Sequence, residues 1–431
     1  MEMNFSYDDF RMNYLHSDVL MPLSPLKPLE IIDMGKYDKA LDEWGIEKRI
    51  RNTFDELEQR LGSKYFSEFE RVQTKVKEYG SFMFPLYKIL FLDIACEDWL
   101  SLVDFHKGFS RDHSVHQPLT AYIVCKLLGG GDAAASFQIQ GVSLLDKVLD
   151  VIINGQDTKY LRDRLAFYDS SSKLLSGDRE LWKAVFYQTA IITAMYHDLG
   201  YPWQFIDRMH DFLKDDILLC GRLPKGSTVI HSYIEKHNEE LMFRPFYNYG
   251  KRGASTAVIK EDLFDYYLHN SHGLPGALAY HAYNTEYCSK TPTDSFGLIK
   301  FCQEWSCLAI LMHDMQKAYA TEGSGFPRLD FNTDPLSYII ALADTIEDFN
   351  RPSASVDKTE MGCEIKYTFP SLAVELKEIN GEAEIQFKVN PANQAQQEKF
   401  KQEDQKNLFD QPDGYFDLGS IGLKSLTIKC M

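Results

Sequence analysis

The chain has 431 residues, of which 44% are hydrophobic and 25% charged, and its formal net charge is −17. A chain of this length can bury a large core and form two or three domains. The acidic balance and the lack of a Lys/Arg block argue against duplex nucleic acid as a partner, because neutralising a phosphate backbone takes such a block. A small anionic ligand held by metal ions is compatible with this charge.

Neither a membrane segment nor an export signal is evident in the sequence. No apolar run approaches the roughly 20 residues that a membrane helix needs, and residues 1–9 lack the basic and then apolar pattern of a secretory signal. The eight cysteines have no C-x-x-C spacing, which indicates reduced thiols instead of a zinc site or a disulfide framework. We therefore expect a cytoplasmic protein without membrane contact. The sequence leaves its oligomeric state open, a homo-oligomer included.

Residues 1–90 carry the signals of amphipathic helices. Apolar residues recur with helical spacing among charged ones over residues 38–51 and 53–78. We interpret this region as a first domain of packing or interaction helices, without residues that suggest chemistry.

Residues 91–355 form the second predicted domain, which is nearly all helical. Its apolar segments have helical spacing and are separated by glycine-rich or polar loops, and Gly129-Gly130-Gly131 is a plain stop signal. The predicted helices cover residues 119–128, 142–153, 181–196, 264–281, 299–319 and 335–349.

Residues 356–431 change pattern and predict a small α+β domain. Apolar and polar residues alternate over 363–369, 373–379 and 382–389, and Asn380-Gly381 between the last two segments predicts a hairpin. A helix over 394–408 and a strand over 423–428 complete this domain. The predicted fold is therefore mostly α, with a small C-terminal α+β appendage.

Histidines and aspartates lie inside or at the edges of separate apolar helices of the central domain. Imidazole and carboxylate groups at such places are costly to bury unless they are paired, and convergence on metal ions satisfies several at once. In chain order they stand in the segments Asp112-His113-Ser114-Val115-His116, His197-Asp198, Ser271-His272-Gly273, Met312-His313-Asp314 and Asp344-Thr345-Ile346-Glu347-Asp348.

This order of residues resembles the HD-domain superfamily of metal-dependent phosphohydrolases, in the branch that holds two metals. The resemblance covers roughly residues 100–355 and implies a helical-bundle core. It implies that Asp198 bridges two ions, that three residues complete one site, and that two histidines complete the other. The implied ligands are His116, His197 and Asp344 for the first ion and His272 and His313 for the second.

The resemblance implies a hydrolase of nucleotides or related phosphoesters, with cyclic dinucleotides among the candidates. Imidazole with carboxylate suits Mn or Fe, and also Co, Ni or Zn, better than Mg. Two divalent ions about 3.5 to 4 Å apart lower the pKa of a bound water, and in this mechanism a metal-bridging hydroxide attacks phosphorus. The candidate catalytic residues are Asp198, His113 and Lys317.

Some of these assignments have alternatives. His113 competes with His116 for the first ligand position, because both lie near the start of one helix; we favour His116, with His113 orienting its ring or contacting substrate. Asp314 is either solvated or orients a ligand imidazole. Lys317, one turn beyond His313, either contacts a phosphate or is solvated, and Glu347 is expected to be exposed.

Two departures from the family pattern leave the substrate open. Many related hydrolases read His-Asp-x-Gly-Lys, where this chain has Tyr201, and only His313 stands where cyclic-di-GMP phosphodiesterases have a His-His pair. Two other functions are therefore kept. One is a di-iron oxygenase like inositol oxygenase, which uses an equivalent ligand set, and the other is a non-catalytic ligand sensor or scaffold.

Overall fold

The computed structural model describes part of the chain, and everything below concerns that part. The described residues are 2–4, 113–198, 200, 272–273, 276–277, 280–281, 296–314, 328–348, 353–359, 362–368, 371–379, 382–391, 394, 397–398 and 414–431. The predicted helices over 38–51 and 53–78 lie outside these residues.

Helices dominate the described residues, with 59% in helix and 19% in strand. The expectation of a mostly helical chain therefore agrees with the part that is described. The α-helices are α1 His113–Leu127, α2 Leu144–Asn154, α3 Lys159–Tyr168, α4 Arg179–Tyr196, α5 Phe296–Met312, α6 Pro335–Asp348 and α7 Leu418–Ile421, with short 3₁₀ turns at Gly129–Gly131 and Lys173–Ser176. None of them combines the length and the hydropathy needed to cross a membrane.

Helix α4 is the centre of the helical core. It begins where the Asp178 carboxylate accepts a hydrogen bond from the Leu181 amide at 3.1 Å, a side-chain cap of an otherwise unsatisfied helical donor. Twelve of its side chains are buried, on more than one face, because α1, α5 and α6 all pack against it. A helix that is apolar on most sides belongs inside a core.

Aromatic and polar contacts fix α4 and α5 side by side. The Trp182 ring meets those of Phe301 and Trp305 edge-on, with centroids 6.2 and 6.5 Å apart, and each such pair adds about 0.5 to 1.5 kcal/mol beyond its burial. Nearer the C-terminal ends, the Thr193 hydroxyl donates to the Ser306 hydroxyl at 2.8 Å, and both residues are buried. This packing brings the C-terminal ends of the two helices together.

A four-stranded sheet draws strands from both ends of the chain. Its order is β1–β7–β8–β10, with β1 Glu2–Asn4, β7 Ser371–Ile379, β8 Glu382–Asn390 and β10 Leu423–Cys430. Strands β1 and β8 are antiparallel to β7, whereas β10 runs parallel to β8. Ile379 pairs with Glu382, so the hairpin predicted at Asn380-Gly381 is confirmed.

The described residues also form three smaller sheets. They pair β2 Gln138–Ile139 with β3 Val142–Ser143, β4 Leu329–Asp330 with β9 Phe416–Asp417, and β5 Ser353–Thr359 with β6 Gly362–Thr368. The β4/β9 pair is parallel and joins the segment before α6 to the C-terminal segment. The Arg328 guanidinium strengthens this junction by donating to the carbonyl oxygens of Gly414 and Phe416 at 2.8 and 2.6 Å.

Several boundaries differ from the sequence predictions. Residues 2–4 form a strand within a region expected to be helical, because β7 offers them an antiparallel partner. The helix predicted from residue 142 begins at Leu144, because Ser143 caps it by accepting from the Asp146 amide. The helix predicted over 299–319 begins at Phe296 and ends at Met312. Strand β5 was not predicted.

Four cysteines in the described ranges are thiols, as expected: Cys125, Cys302, Cys307 and Cys430. Burial raises the pKa of Cys125 and of Cys302 to about 12. These two thiols stay protonated at neutral pH and are therefore poor metal ligands.

Candidate metal centre

The ends of α4 and α5 carry the same short arrangement of residues. His197-Asp198 follows Tyr196, the last residue of α4, and His313-Asp314 follows Met312, the last residue of α5. The His197 Nδ1 atom lies 2.6 Å from the Ala194 carbonyl oxygen. The His313 Nδ1 atom lies 2.5 Å from the carbonyl oxygen of Ile310, again three residues earlier.

These two contacts determine which ring nitrogen carries the proton. A carbonyl oxygen only accepts hydrogen bonds, so Nδ1 must be the donor in both rings. In a neutral imidazole the other nitrogen, Nε2, then has a lone pair. His197 and His313 therefore both present Nε2 as a ligand atom.

His272 is held in the same tautomer by Asp314. Its Nδ1 atom lies 3.1 Å from the Asp314 Oδ2 atom, and its backbone amide donates to the same oxygen at 2.9 Å. A carboxylate that accepts from Nδ1 fixes the ring orientation and makes the opposite nitrogen more basic. Of the two roles considered for Asp314, orienting a ligand imidazole is the one that its contacts support.

The three Nε2 atoms converge on one oxygen, Oδ1 of Asp198. This oxygen lies 2.9 Å from Nε2 of His272 and 3.5 Å from Nε2 of both His197 and His313. The Nε2 atoms of His272 and His313 are only 3.0 Å apart. Lone pairs that face each other and a carboxylate at this range repel unless a cation lies among them.

Asp344 completes the cluster from α6. Its Oδ1 atom lies 3.4 Å from Nε2 of His197. The side chains of His197 and Asp198 are at most 2% exposed, whereas that of Asp344 is 22% exposed. The cluster is therefore dry on the side of α4 and reaches solvent on the side of α6.

Three glycines let the His272 segment approach this closely. A Cβ atom added to Gly200 would lie 1.8 Å from the His272 carbonyl oxygen, and one on Gly273 would lie 2.8 Å from that of Leu311. A Cβ on Gly276 would lie 3.0 Å from the Gly200 amide nitrogen. The backbone of residues 272–276 therefore packs directly against the backbone of Gly200, which follows α4, and against that of the last turn of α5.

The local charge favours a cation. Asp198, Asp314 and Asp344 contribute carboxylates, and the C-terminal ends of α4 and α5 add partial negative charge. Burial alone lowers the pKa of His313, but the hydrogen bond to Asp198 and the charges of Asp344, Asp198 and Asp314 outweigh it and raise the pKa to about 9. The pocket thus stabilises a positive charge, whether a proton or a metal ion carries it.

The spacing of the ligand atoms fits a transition metal. Ligand atoms about 2.0 to 2.2 Å from an ion at tetrahedral or octahedral angles are roughly 2.9 to 3.5 Å from one another. The distances from Asp198 Oδ1 to the Nε2 atoms of the three histidines, 2.9 to 3.5 Å, lie in this range. The ligand atoms of His197, Asp198 and His313 all lie within 4.8 Å of one another. This buried group could therefore hold a metal ion, and a set of imidazoles and carboxylates suits Mn, Fe, Co, Ni or Zn.

The structure brings together five of the six ligands implied by the sequence. These are His197, Asp198, His272, His313 and Asp344. The side chains of His113 and His116 lie outside the described residues, although both residues belong to α1. Lys317 and Tyr201 also lie outside them. The prediction for Glu347 was wrong: it is buried, at 2% exposure, because α6 packs between α1, α4 and α5.

Sequence reasoning missed the packing role of the glycines and a contact from the C-terminal segment. Gly273 and Gly276 follow His272 closely in His-Gly-Leu-Pro-Gly, and this spacing was the available signal for close backbone packing. The contact comes from Tyr415, whose hydroxyl donates to the Met312 carbonyl oxygen at 2.5 Å. The two residues are about 100 positions apart, so no local sequence pattern predicts that they meet.

Comparison with known proteins adds no relative. No protein-family model matches the chain, and no curated protein or solved structure matches it. The ligand assignment therefore depends on the geometry of the cluster itself.

Proposed function

We propose that the chain is a metal-dependent phosphohydrolase that cleaves a nucleotide or a related phosphoester. The observation that supports this most is the convergence of three Nε2 atoms on one buried carboxylate oxygen, that of Asp198. Divalent ions held by such a set lower the pKa of a bound water and neutralise negative charge that develops on a phosphoryl oxygen.

Two ions would be held in this proposal, and Asp198 would contribute a ligand to both. Two pairs of candidate ligand atoms lie especially close together. One contains Nε2 of His197 and Oδ1 of Asp344, 3.4 Å apart, and His116 completes it in this proposal. The other contains the Nε2 atoms of His272 and His313, 3.0 Å apart.

The residues of the chain hold and orient this centre. The carbonyl oxygens of Ala194 and Ile310 and the carboxylate of Asp314 keep each Nδ1 protonated and each Nε2 available. The buried side chains of His197, Asp198 and His313 exclude water from the inner side. Asp344, which is more exposed, marks the side from which substrate enters.

The proposal is tested by metal content followed by a substrate panel. We expect purified protein to contain Mn, Fe, Co, Ni or Zn near stoichiometry by elemental analysis. With Mn added, it should release phosphate or a nucleotide from one member of a panel of nucleotides, cyclic dinucleotides and a chromogenic phosphodiester. His197→Gln should abolish this activity, whereas Asp146→Asn, at a surface ion pair with Arg179, should retain it.

The remaining outcomes separate the rival functions. Substrate-dependent oxygen uptake by the iron-loaded protein, without phosphate release, would indicate an oxygenase. Bound metal without turnover of any kind would indicate a sensor or scaffold, and a protein that takes up no transition metal would contradict all three metal-based functions.

A further inference from the structure

The C-terminal segment reaches the end of α5, where His313 begins. Tyr415 is buried, and its hydroxyl donates to the Met312 carbonyl oxygen at 2.5 Å. Met312 directly precedes His313, so the hydrogen bond lies on the peptide group that carries a ligand residue.

The hydrogen bond from Tyr415 gives the Met312 carbonyl oxygen a donor that α5 itself cannot supply. The last four carbonyl oxygens of an α-helix have no partner within the helix. At this end of α5, the His313 amide donates to Ala309 at 3.0 Å, and the His313 ring uses the carbonyl of Ile310. Tyr415 supplies the donor for Met312. Both polar ends of the peptide group between Met312 and His313 are therefore fixed.

Tyr415 is itself held rigidly at its backbone. Its carbonyl oxygen accepts from the Leu329 amide at 2.8 Å, and Arg328 binds the carbonyl oxygens of both of its neighbours, Gly414 and Phe416. Because the backbone on both sides of Tyr415 is held, only rotation of its own side chain can move the hydroxyl relative to the β4/β9 pair. The hydroxyl therefore holds the Met312 carbonyl oxygen at a defined place.

The surroundings keep the hydroxyl a donor. Burial, followed by the charges of Asp314 and Asp334, raises the pKa of Tyr415 well above its ordinary value. The phenol therefore stays protonated at neutral pH and can donate.

We infer that Tyr415 is a positioning residue of the metal centre, which fixes the Met312–His313 peptide and thereby the ligand imidazole of His313. The inference rests on the proposed function only in requiring that a metal ion binds at His313. It makes the C-terminal segment around Tyr415 a structural part of the site, through the hydrogen bond to the Met312 carbonyl oxygen.

The test compares two Tyr→Phe variants of the full-length protein. Tyr415→Phe removes the hydroxyl beside His313, and Tyr160→Phe removes a comparable hydroxyl that donates to the Thr333 carbonyl oxygen at 3.1 Å. Co²⁺ is titrated into metal-free protein, with the visible absorption spectrum recording its coordination geometry. Tyr415→Phe should weaken Co²⁺ binding by about 10-fold, the lower range for residues that orient metal ligands, and should alter the spectrum. Tyr160→Phe should bind within about twofold of wild type.

A second variant protects the test against misfolding. Arg328→Met removes the anchors on Gly414 and Phe416 and leaves the hydroxyl in place, and it should weaken Co²⁺ binding in the same direction. Wild-type affinity and spectrum in Tyr415→Phe, or in Arg328→Met if the first variant does not fold, would overturn the role of Tyr415 alone. Wild-type protein that binds no Co²⁺ would instead overturn the proposed function.

Discussion

His197 and His313 face each other from equivalent positions at the ends of two neighbouring helices. Their ring centroids are 5.0 Å apart, and the ring planes are nearly perpendicular, at 86°. Each ring uses Nδ1 to bind the carbonyl oxygen three residues earlier, and each residue is followed by an aspartate. The local sequence thus fixes the orientation of each ring, and in the proposed metal centre this would lower the entropy lost on binding.

Asp198→Asn should abolish metal-dependent stabilisation. The substitution keeps the shape of the side chain but removes the negative charge on which three Nε2 atoms converge. A metal ion that binds only the folded protein stabilises it, and the gain grows with the logarithm of the ratio of metal concentration to dissociation constant. Thermal unfolding with and without Mn²⁺ should therefore show a shift in wild type and none in the variant.

Asp146→Asn is the matched control for this experiment. Asp146 also pairs with a cation, since its Oδ1 atom lies 2.6 Å from Arg179, but its side chain is 36% exposed and belongs to the surface of α2. It should keep the wild-type Mn²⁺ shift. An equal shift in Asp198→Asn would contradict the assignment of Asp198 as a ligand.

Asp314→Asn should weaken metal binding without abolishing it. Its carboxylate contacts both the backbone amide and the ring of His272, and removal of such a partner of a ligand imidazole typically reduces metal affinity by about 10- to 100-fold. Isothermal titration with Mn²⁺ measures the change. Asp178→Asn, which keeps the cap of α4, should leave the affinity unaltered; equal losses in both variants would exclude a specific role for Asp314.

The metal-free protein should lose stability as the pH rises through about 9. The pKa of His313 is raised from 6.5 to about 9 in the folded protein, so protonation favours the folded state. This contribution is complete below pH 6.5 and disappears above pH 9. A shift of this size corresponds to roughly 3 kcal/mol as an order of magnitude, at about 1.4 kcal/mol per pKa unit.

Urea unfolding of chelator-treated protein between pH 6 and 9.5 measures this dependence. The free energy of unfolding should fall over the range in wild type and change less in His313→Gln, which has no imidazole to titrate. Parallel profiles for the two proteins would show that another group causes the loss. Because the metal must displace this proton, the Mn²⁺ affinity of wild type should rise over the same range.

The order of ligands along the chain was sufficient to predict most of the cluster. Polar side chains at the edges of apolar helices need partners, and the resemblance of their order to that of a two-metal hydrolase family then selected His197, Asp198, His272, His313 and Asp344. These five side chains do lie together. The sequence could not decide the role of Asp314. That role depends on a contact 42 residues away, from the Asp314 carboxylate to the His272 amide.

Strand pairing and cross-chain contacts were harder to predict than helices. The β7–β8 hairpin has a local signal in Asn380-Gly381, whereas β1 becomes a strand only because β7 is available as its partner. Tyr415 likewise depends on the parallel pairing of β4 with β9. The spacing of apolar residues depends only on neighbours in the sequence, so it does not predict pairings between distant segments.

Gly200→Ala should disturb both the fold and the metal centre. The added Cβ would lie 1.8 Å from the His272 carbonyl oxygen and 2.6 Å from the Gly276 amide nitrogen, and both are backbone atoms that cannot rotate away. Overpacking of this kind costs about 1 to 3 kcal/mol. The displaced segment carries His272, so Mn²⁺ affinity should fall together with the unfolding midpoint.

Gly419→Ala separates this effect from the general consequence of adding a methyl group. The nearest atom to a Cβ at Gly419 is an Asp417 carboxylate oxygen at 3.5 Å, an ordinary contact, and Ala at a helical position is favoured over Gly by about 0.5 to 1 kcal/mol. This variant should match or exceed wild-type stability and bind Mn²⁺ normally. The clash in Gly200→Ala displaces the segment that carries His272. If Gly200→Ala loses stability but keeps its Mn²⁺ affinity, His272 does not bind the metal from its described position.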